Sequence, residues 1–309
     1  MMKKNYFQCG ITTKNIVINY LLALLPLLIY GFYKNAIVVY NRGLIDFTNV
    51  IIQILIIILT VAISFVSDFI YCKIRKKDTK EYLQKSFSLV FSLILLLSIP
   101  PNFNKLIYIF SLVILNILSK IIPYNKFSIN IVAITKIILI LGVFFTNGIN
   151  YANIYEQTKN ISYTLYNSFF GKTIGGYGST SIFLILLAYI YLCTKIHYKK
   201  EIPIYSIFSF TIFGTLYLAI SKNNPINIIN ILITSNIIFV LVFIASIPFY
   251  SPVSKEGTII YSILNGVLSF LFMNAINIYE GAFIAIIVTS SLSKIIDIVV
   301  LKIRSRHLK

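Results

Sequence analysis

Apolar runs long enough to cross a bilayer recur along the whole of this 309-residue chain, and nothing else in the sequence restricts the fold as tightly. Ten segments read as spans: residues 15–32, 48–72, 86–100, 104–122, 130–146, 179–194, 203–220, 229–248, 257–274 and 280–301. Charged residues are 12% of the chain, about half of the ~25% usual in soluble domains. A soluble globular protein, a disordered chain and a disulfide scaffold are thereby excluded. The first apolar run follows a basic stretch without a small-residue cleavage site, so it reads as a span rather than a signal peptide. The expected fold is an all-α polytopic membrane protein, with residues 1–309 forming a single integral membrane domain.

The net charge is +18, from 27 Lys and Arg against 9 Asp and Glu. With ten spans the connecting loops alternate between two faces. Nineteen of the 27 basic residues fall on the face that holds both termini, counting Lys120 with the loop after the fourth span. The positive-inside rule then puts both termini in the cytoplasm. The densest cluster, Lys73 to Lys85, serves orientation or, as the alternative, touches anionic lipid; no soluble domain is left to present it to nucleic acid. The long loop 147–178 falls outside.

An internal duplication is suggested by the third and eighth spans, which end Ser98-Ile99-Pro100 and Ser246-Ile247-Pro248. Each is the third span of a five-span half, about 15–146 and 179–301, joined by the external loop. Five is odd, so the two halves are inverted, an arrangement that puts binding sites near the midplane at discontinuous helices. Proline ends or kinks a helix. These two spans therefore read either as broken or re-entrant elements or as ordinary helices stopped by proline.

Catalytic material is scarce. His197 and His307 have no metal-ligand partner nearby, and Cys9, Cys72 and Cys193 are each isolated, so no zinc or iron–sulfur site is indicated. Gly171-Lys172-Thr173 resembles the end of a phosphate loop but lacks the upstream glycine and strand. The surrounding cluster, Gly171, Gly175, Gly176 and Gly178 running into Thr180 and Ser181, suits either a flexible turn with an N-cap or an anion at a helix N-terminus. Charges inside spans are candidates for function by default. Lys294 and Asp297 are spaced to pair across one helix turn, Lys136 reads as lone and deep, and Glu280 opens the last span, where a carboxylate suits the dipole.

Several stretches resemble the RnfD membrane protein of the Rnf electron-transport complexes and, more distantly, its NqrB counterpart in the sodium-pumping NADH:quinone reductase. Ser251-Pro252-Val253-Ser254-Lys255-Glu256-Gly257, Gly266-Val267-Leu268 and Tyr279-Glu280-Gly281 are similar to that family's S-P-V/L-T-P-K-G, G-V-L-T and Y-P-E-G pattern. Asp297 falls on the family's P-L-I-D, Gly171 to Ser181 on its G-x-x-x-G-x-x-G-E-T-S, and Ile202-Pro203 on its R-I-P. The resemblance implies Gly171, Gly175, Gly176, Gly178, Thr180, Ser181 and Ser251 as flavin or anion contacts. It also implies a bacterial inner-membrane location and other Rnf-like membrane subunits as partners.

The departures fall at polar family positions. Family members with covalent flavin mononucleotide (FMN) carry it on the threonine of D-x-x-S/T-G/S-A-T, and the matching segment here runs Asn147 to Asn153. An amide cannot form the phosphoester, so Asn153 is not flavinylated. Ser179, Ile247 and Ser290 replace the family's glutamate, aspartate and asparagine. Three functions follow: an Rnf-like ion-coupled electron-transport subunit without covalent FMN, in which riboflavin or FMN binds non-covalently if at all; a transporter or channel for flavin or another small solute on the same fold; or a structural membrane partner.

Overall fold

A computed structural model describes residues 12–122, 128–144, 165–222 and 224–307. Among the described residues the regular structure is entirely helical. Helix α1 (Thr13–Phe32) starts at a Thr12 cap and continues through a π-helical turn, Tyr33–Ile37, and Val38–Asn41. It is followed by α2 (Phe47–Arg75), α3 (Thr79–Lys85), α4 (Ser88–Ser98), α5 (Lys105–Ile121) and α6 (Ile131–Phe144). The remainder comprises α7 (Leu165–Phe169), α8 (Ile182–Cys193), α9 (Glu201–Ile220), α10 (Asn227–Thr234), α11 (Ile237–Val240, running into a π segment Leu241–Ala245), α12 (Lys255–Ala275) and α13 (Gly281–His307). The chain is thus a multi-pass α-helical membrane protein.

Each of the ten expected segments contains a helix, but the helices differ in reach. Among the described residues five are long and apolar enough to cross a membrane alone, and counting each of two bent pairs as one span raises that number to seven. The figure of ten also takes in α5, α6 and α8, which at 17, 14 and 12 residues are shorter than the ~20 that a perpendicular crossing needs.

The eighth expected span is itself a bent pair, whereas the third covers only the second arm of one, with α3 lying ahead of it. Helices α3 and α4 meet at 40°, and α10 meets the α11 segment at 59°. The breaks lie upstream of the prolines, at serines. Ser86 and Ser235 are both extended (ψ 134° and 166°). Their hydroxyls accept from the N–H two residues on, Ser88 at 3.2 Å and Ile237 at 3.4 Å, so each break is the same serine turn. The prolines terminate the second arm of each pair instead of kinking it.

Those second arms form the centre of the molecule. From Ser88 to Ser98 every residue except Leu89 is buried, and from Ile237 to Ile247 every residue except Ile238. A helix that is apolar on all sides needs protein all around it. Around this centre, α1 contacts α4 and α8, α2 lies along α4 and α5, and α12 is packed between α9 and α13. The outward faces of α1, α2, α9 and α13 carry exposed Leu, Ile and Phe, as lipid contact requires.

Candidate functional site

Helix C-termini leave carbonyls without intrahelical donors, and inside a membrane these need protein partners. Both central arms meet this need with groups brought from far away in sequence. At the end of α4, Tyr177 N–H donates to Ile99 O (2.6 Å), Gly178 N–H to Leu97 O (3.1 Å) and the Lys136 ammonium to Ser98 O (2.9 Å). At the end of the α11 segment, Asn130 Nδ2 donates to Ile244 O (3.0 Å), Tyr261 Oη to Ala245 O (3.3 Å), Tyr20 Oη to Ser246 O (3.3 Å) and Tyr198 Oη to Val242 O (2.9 Å).

Lys136 is not the lone charge that its sequence context suggests. It is fully buried on α6, its Nζ is 3.9 Å from Glu280 Oε1, and it sits 5.6 Å from the centre of the Phe283 ring. Glu280, just ahead of α13, is 5% exposed, and among the described residues neither of its carboxylate oxygens has a hydrogen-bond donor. The carboxylate therefore depends on Lys136 for compensation, and the ammonium also faces the negative end of α4. Six residues upstream of Lys136, Asn130 N–H donates to Ser290 Oγ at 3.0 Å. Asn130 and Lys136, before and on α6, thereby reach the ends of both central arms, and Ser290 and Glu280 tie them to α13.

The glycine cluster lies against the α4 end of this centre. Gly171 has φ +83°, which an L side chain rarely adopts, and a Cβ on Gly178 would stand 2.7 Å from Leu27 O. Gly175 and Gly176 lie between them, close to Thr180 and to Leu97 O. The Tyr177 and Gly178 amides are spent on α4 carbonyls, and Ser181 caps α8 through Leu184 N–H. Lys34 donates to Thr173 O and lies 3.5 Å from Thr180 Oγ1, which puts one cation beside the turn. Ser179, at the family's glutamate position, donates to Asn236 Oδ1 (2.9 Å) at the α10–α11 break. Ser251 is elsewhere, against Lys199. Asn147 and Asn153 lie outside the described residues.

A second buried network has no counterpart in the sequence pattern of any single helix. Lys120, placed with a loop by its position in the sequence, lies on α5 and pairs with Asp68 of α2 at 3.0 Å, with both side chains under 10% exposed. Ser88, the first residue of α4, donates to Asp68 at 2.7 Å, and Lys120 donates to Ser67 Oγ at 2.8 Å. Asn116 reaches from α5 to Ser92 on α4. An aspartate inside an apolar run is the signal that would have found this network.

A third cluster joins the loop 194–200 to the loop before α12. Lys199 Nζ donates to Ser251 O (3.1 Å), Ser251 Oγ (2.7 Å) and Pro252 O (2.6 Å). Asp297 of α13 accepts from Val253 N–H (2.8 Å), Ser254 N–H (3.0 Å) and Ser254 Oγ (2.5 Å). Burial pushes the Lys199 ammonium down to about 8, against the opposing pull of Asp297 and Glu201. Between about pH 8 and the ordinary lysine value the unfolded chain holds more protons than the folded one, so this group's contribution to stability grows as pH rises through that window. Thermal midpoints in detergent are expected to show that rise in the wild type and a flatter profile in Lys199→Met; an unchanged slope in the variant would assign it to another group.

Two bent helix pairs, each with an inner arm buried at all but one position, define an α-helical integral membrane protein built around its discontinuous segments. Residues 1–305 match the NQR2, RnfD, RnfE family, and the chain belongs to it. Among curated proteins none matches the chain. At the level of the family, the match is to membrane subunits of Rnf/NQR-type electron- and ion-transport complexes.

Proposed function

We propose that the chain is the membrane subunit of an Rnf-like, ion-coupled electron-transport complex and works without covalent FMN. The reading is carried by one pairing of observations: a family match over residues 1–305 and an asparagine, Asn153, at the acceptor position. The polar family positions have become Asn147, Ser179, Ile247 and Ser290, while the scaffold glycines and prolines persist. Any flavin is then held non-covalently. The chain sits in a bacterial inner membrane with both termini cytoplasmic, and its halves, about 15–146 and 179–301, form an inverted pair. The matching serine turns at Ser86 and Ser235 support that pairing.

Denaturing gels under ultraviolet light are expected to show no fluorescent band at the mass of the chain; a band there would overturn the absence of covalent flavin. Purification by a tag on the chain is expected to bring down the other Rnf-like membrane subunits.

A second reading, a transporter or channel for flavin or another small solute, is favoured by the two central bent helices, since discontinuous helices commonly carry the binding site of inverted-repeat carriers. Riboflavin uptake by cells expressing this chain alone, without partner subunits, would favour it over electron transport.

A further inference from the structure

The strongest unexplained feature lies at the other end of α8. A cavity of about 560 Å³ opens between the C-terminus of α8 and the starts of α9 and α12. Lys195, Lys199, Lys200 and Lys255 line it, and Glu201 is the one carboxylate among its lining residues. The three hydrogen bonds of Lys199 engage all its donors, so it contributes charge to the cavity without needing to touch an occupant. The Lys195 ammonium lies 4.6 Å over the Tyr191 ring. Among the described residues, Lys195, Lys200 and Lys255 have no carboxylate within salt-bridge distance. The nearby Asp297 is already saturated by the Val253–Ser254 backbone and hydroxyl. Three lysines lining one cavity give it the charge to take an anion with several oxygens.

The surroundings of the cavity distinguish a lipid from a free ion. Val253, on its wall, is 87% exposed, and Ile196 is 89% exposed. Tyr205 and Ile259 continue the wall along the outward faces of α9 and α12, both of which are long and apolar enough to cross the membrane. Apolar side chains this exposed beside a cationic cavity at the ends of spanning helices match acyl chains below a phosphate.

We propose that this cavity binds a phosphate ester anion, presented as the headgroup of an anionic phospholipid. The ammonium groups of Lys195, Lys200 and Lys255 hold the phosphate oxygens, Lys199 supplies long-range attraction, and Ile196 and Val253 contact the chains.

The test is lipid retention on the full chain, purified in mild detergent and followed by native mass spectrometry with phosphatidylglycerol or phosphatidylcholine added. The variant is Lys195→Gln, Lys200→Gln, Lys255→Gln, which leaves the structural Lys199 intact. The control removes equal charge from exposed positions elsewhere, as Lys105→Gln, Lys222→Gln, Lys302→Gln. Phosphatidylglycerol retention is expected to fall about tenfold or more in the first triple and to hold in the control, with phosphatidylcholine low throughout. In wild type carrying Ile196→Ser and Val253→Ser, retention is expected to fall while the charge is unchanged. Equal retention in wild type and the first triple, or an equal fall in both triples, overturns the site. Displacement of the lipid by millimolar inorganic phosphate, together with no effect of the two serine substitutions, overturns the lipid in favour of the free ion.

Discussion

Lys136→Met is expected to destabilise the protein by about 3–5 kcal/mol, the usual cost of leaving a buried charge without its partner. Glu280 would then be a buried carboxylate with neither a hydrogen-bond donor nor a nearby cation, and Ser98 O would lose its donor at 2.9 Å. Glu280→Gln alone removes the carboxylate that faces the ammonium, while Ser98 O still accepts from it. In the double variant both charges are gone, so it is expected to recover most of the loss from either single change. The measurement is a double-mutant cycle on thermal or denaturant unfolding in detergent. Additive losses in the double variant would show that the 3.9 Å pair is not energetically coupled.

Gly266→Leu is expected to cost about 3 kcal/mol, at the upper end of overpacking, because the obstacle is main chain. A Cβ at Gly266 would stand 2.0 Å from Ser209 Oγ and 2.2 Å from Ser206 O on α9. Ser206 Oγ also donates to Ser262 O across this contact at 2.9 Å. Small residues at Ser206, Ser209, Ser262 and Gly266 let the two helices approach closely, the usual basis of helix association in a bilayer. Reduced monodisperse yield and a lowered thermal midpoint are the expected readouts. Gly266→Ala with Ser209→Gly is expected to recover only part of the loss, because the Ser206 carbonyl still blocks the new methyl. Wild-type behaviour of Gly266→Leu would show that the helices can separate without penalty.

The features legible in the sequence were those set by local pattern. Apolar runs located a helix in all ten expected segments, and the paired Ser-Ile-Pro termini picked out the two arms that prove to be central and bent. The position of each break was not legible, because Pro100 and Pro248 are the stronger helix-breaking signals and the serine turns at Ser86 and Ser235 look like ordinary polar positions beside them. Polar pairings were the least accessible. Lys136 meets Glu280, and Lys120 meets Asp68, only after distant helices pack, and no periodicity within one helix reports that. The glycine run was legible as a turn with a cap. Its role in bringing backbone against α1 and α4 depended on which carbonyls lay opposite.

The pairing of Lys136 with Glu280 has a consequence for biogenesis. The lysine is made 144 residues ahead of its carboxylate partner. During that interval the ammonium has no counter-charge from Glu280, and the 11-residue arm it caps is too short to hold a place in the bilayer alone. Insertion of α6 and α4 therefore stays provisional until α13 is threaded. A nascent chain interrupted before Glu280 lacks the carboxylate that faces this ammonium in the folded protein.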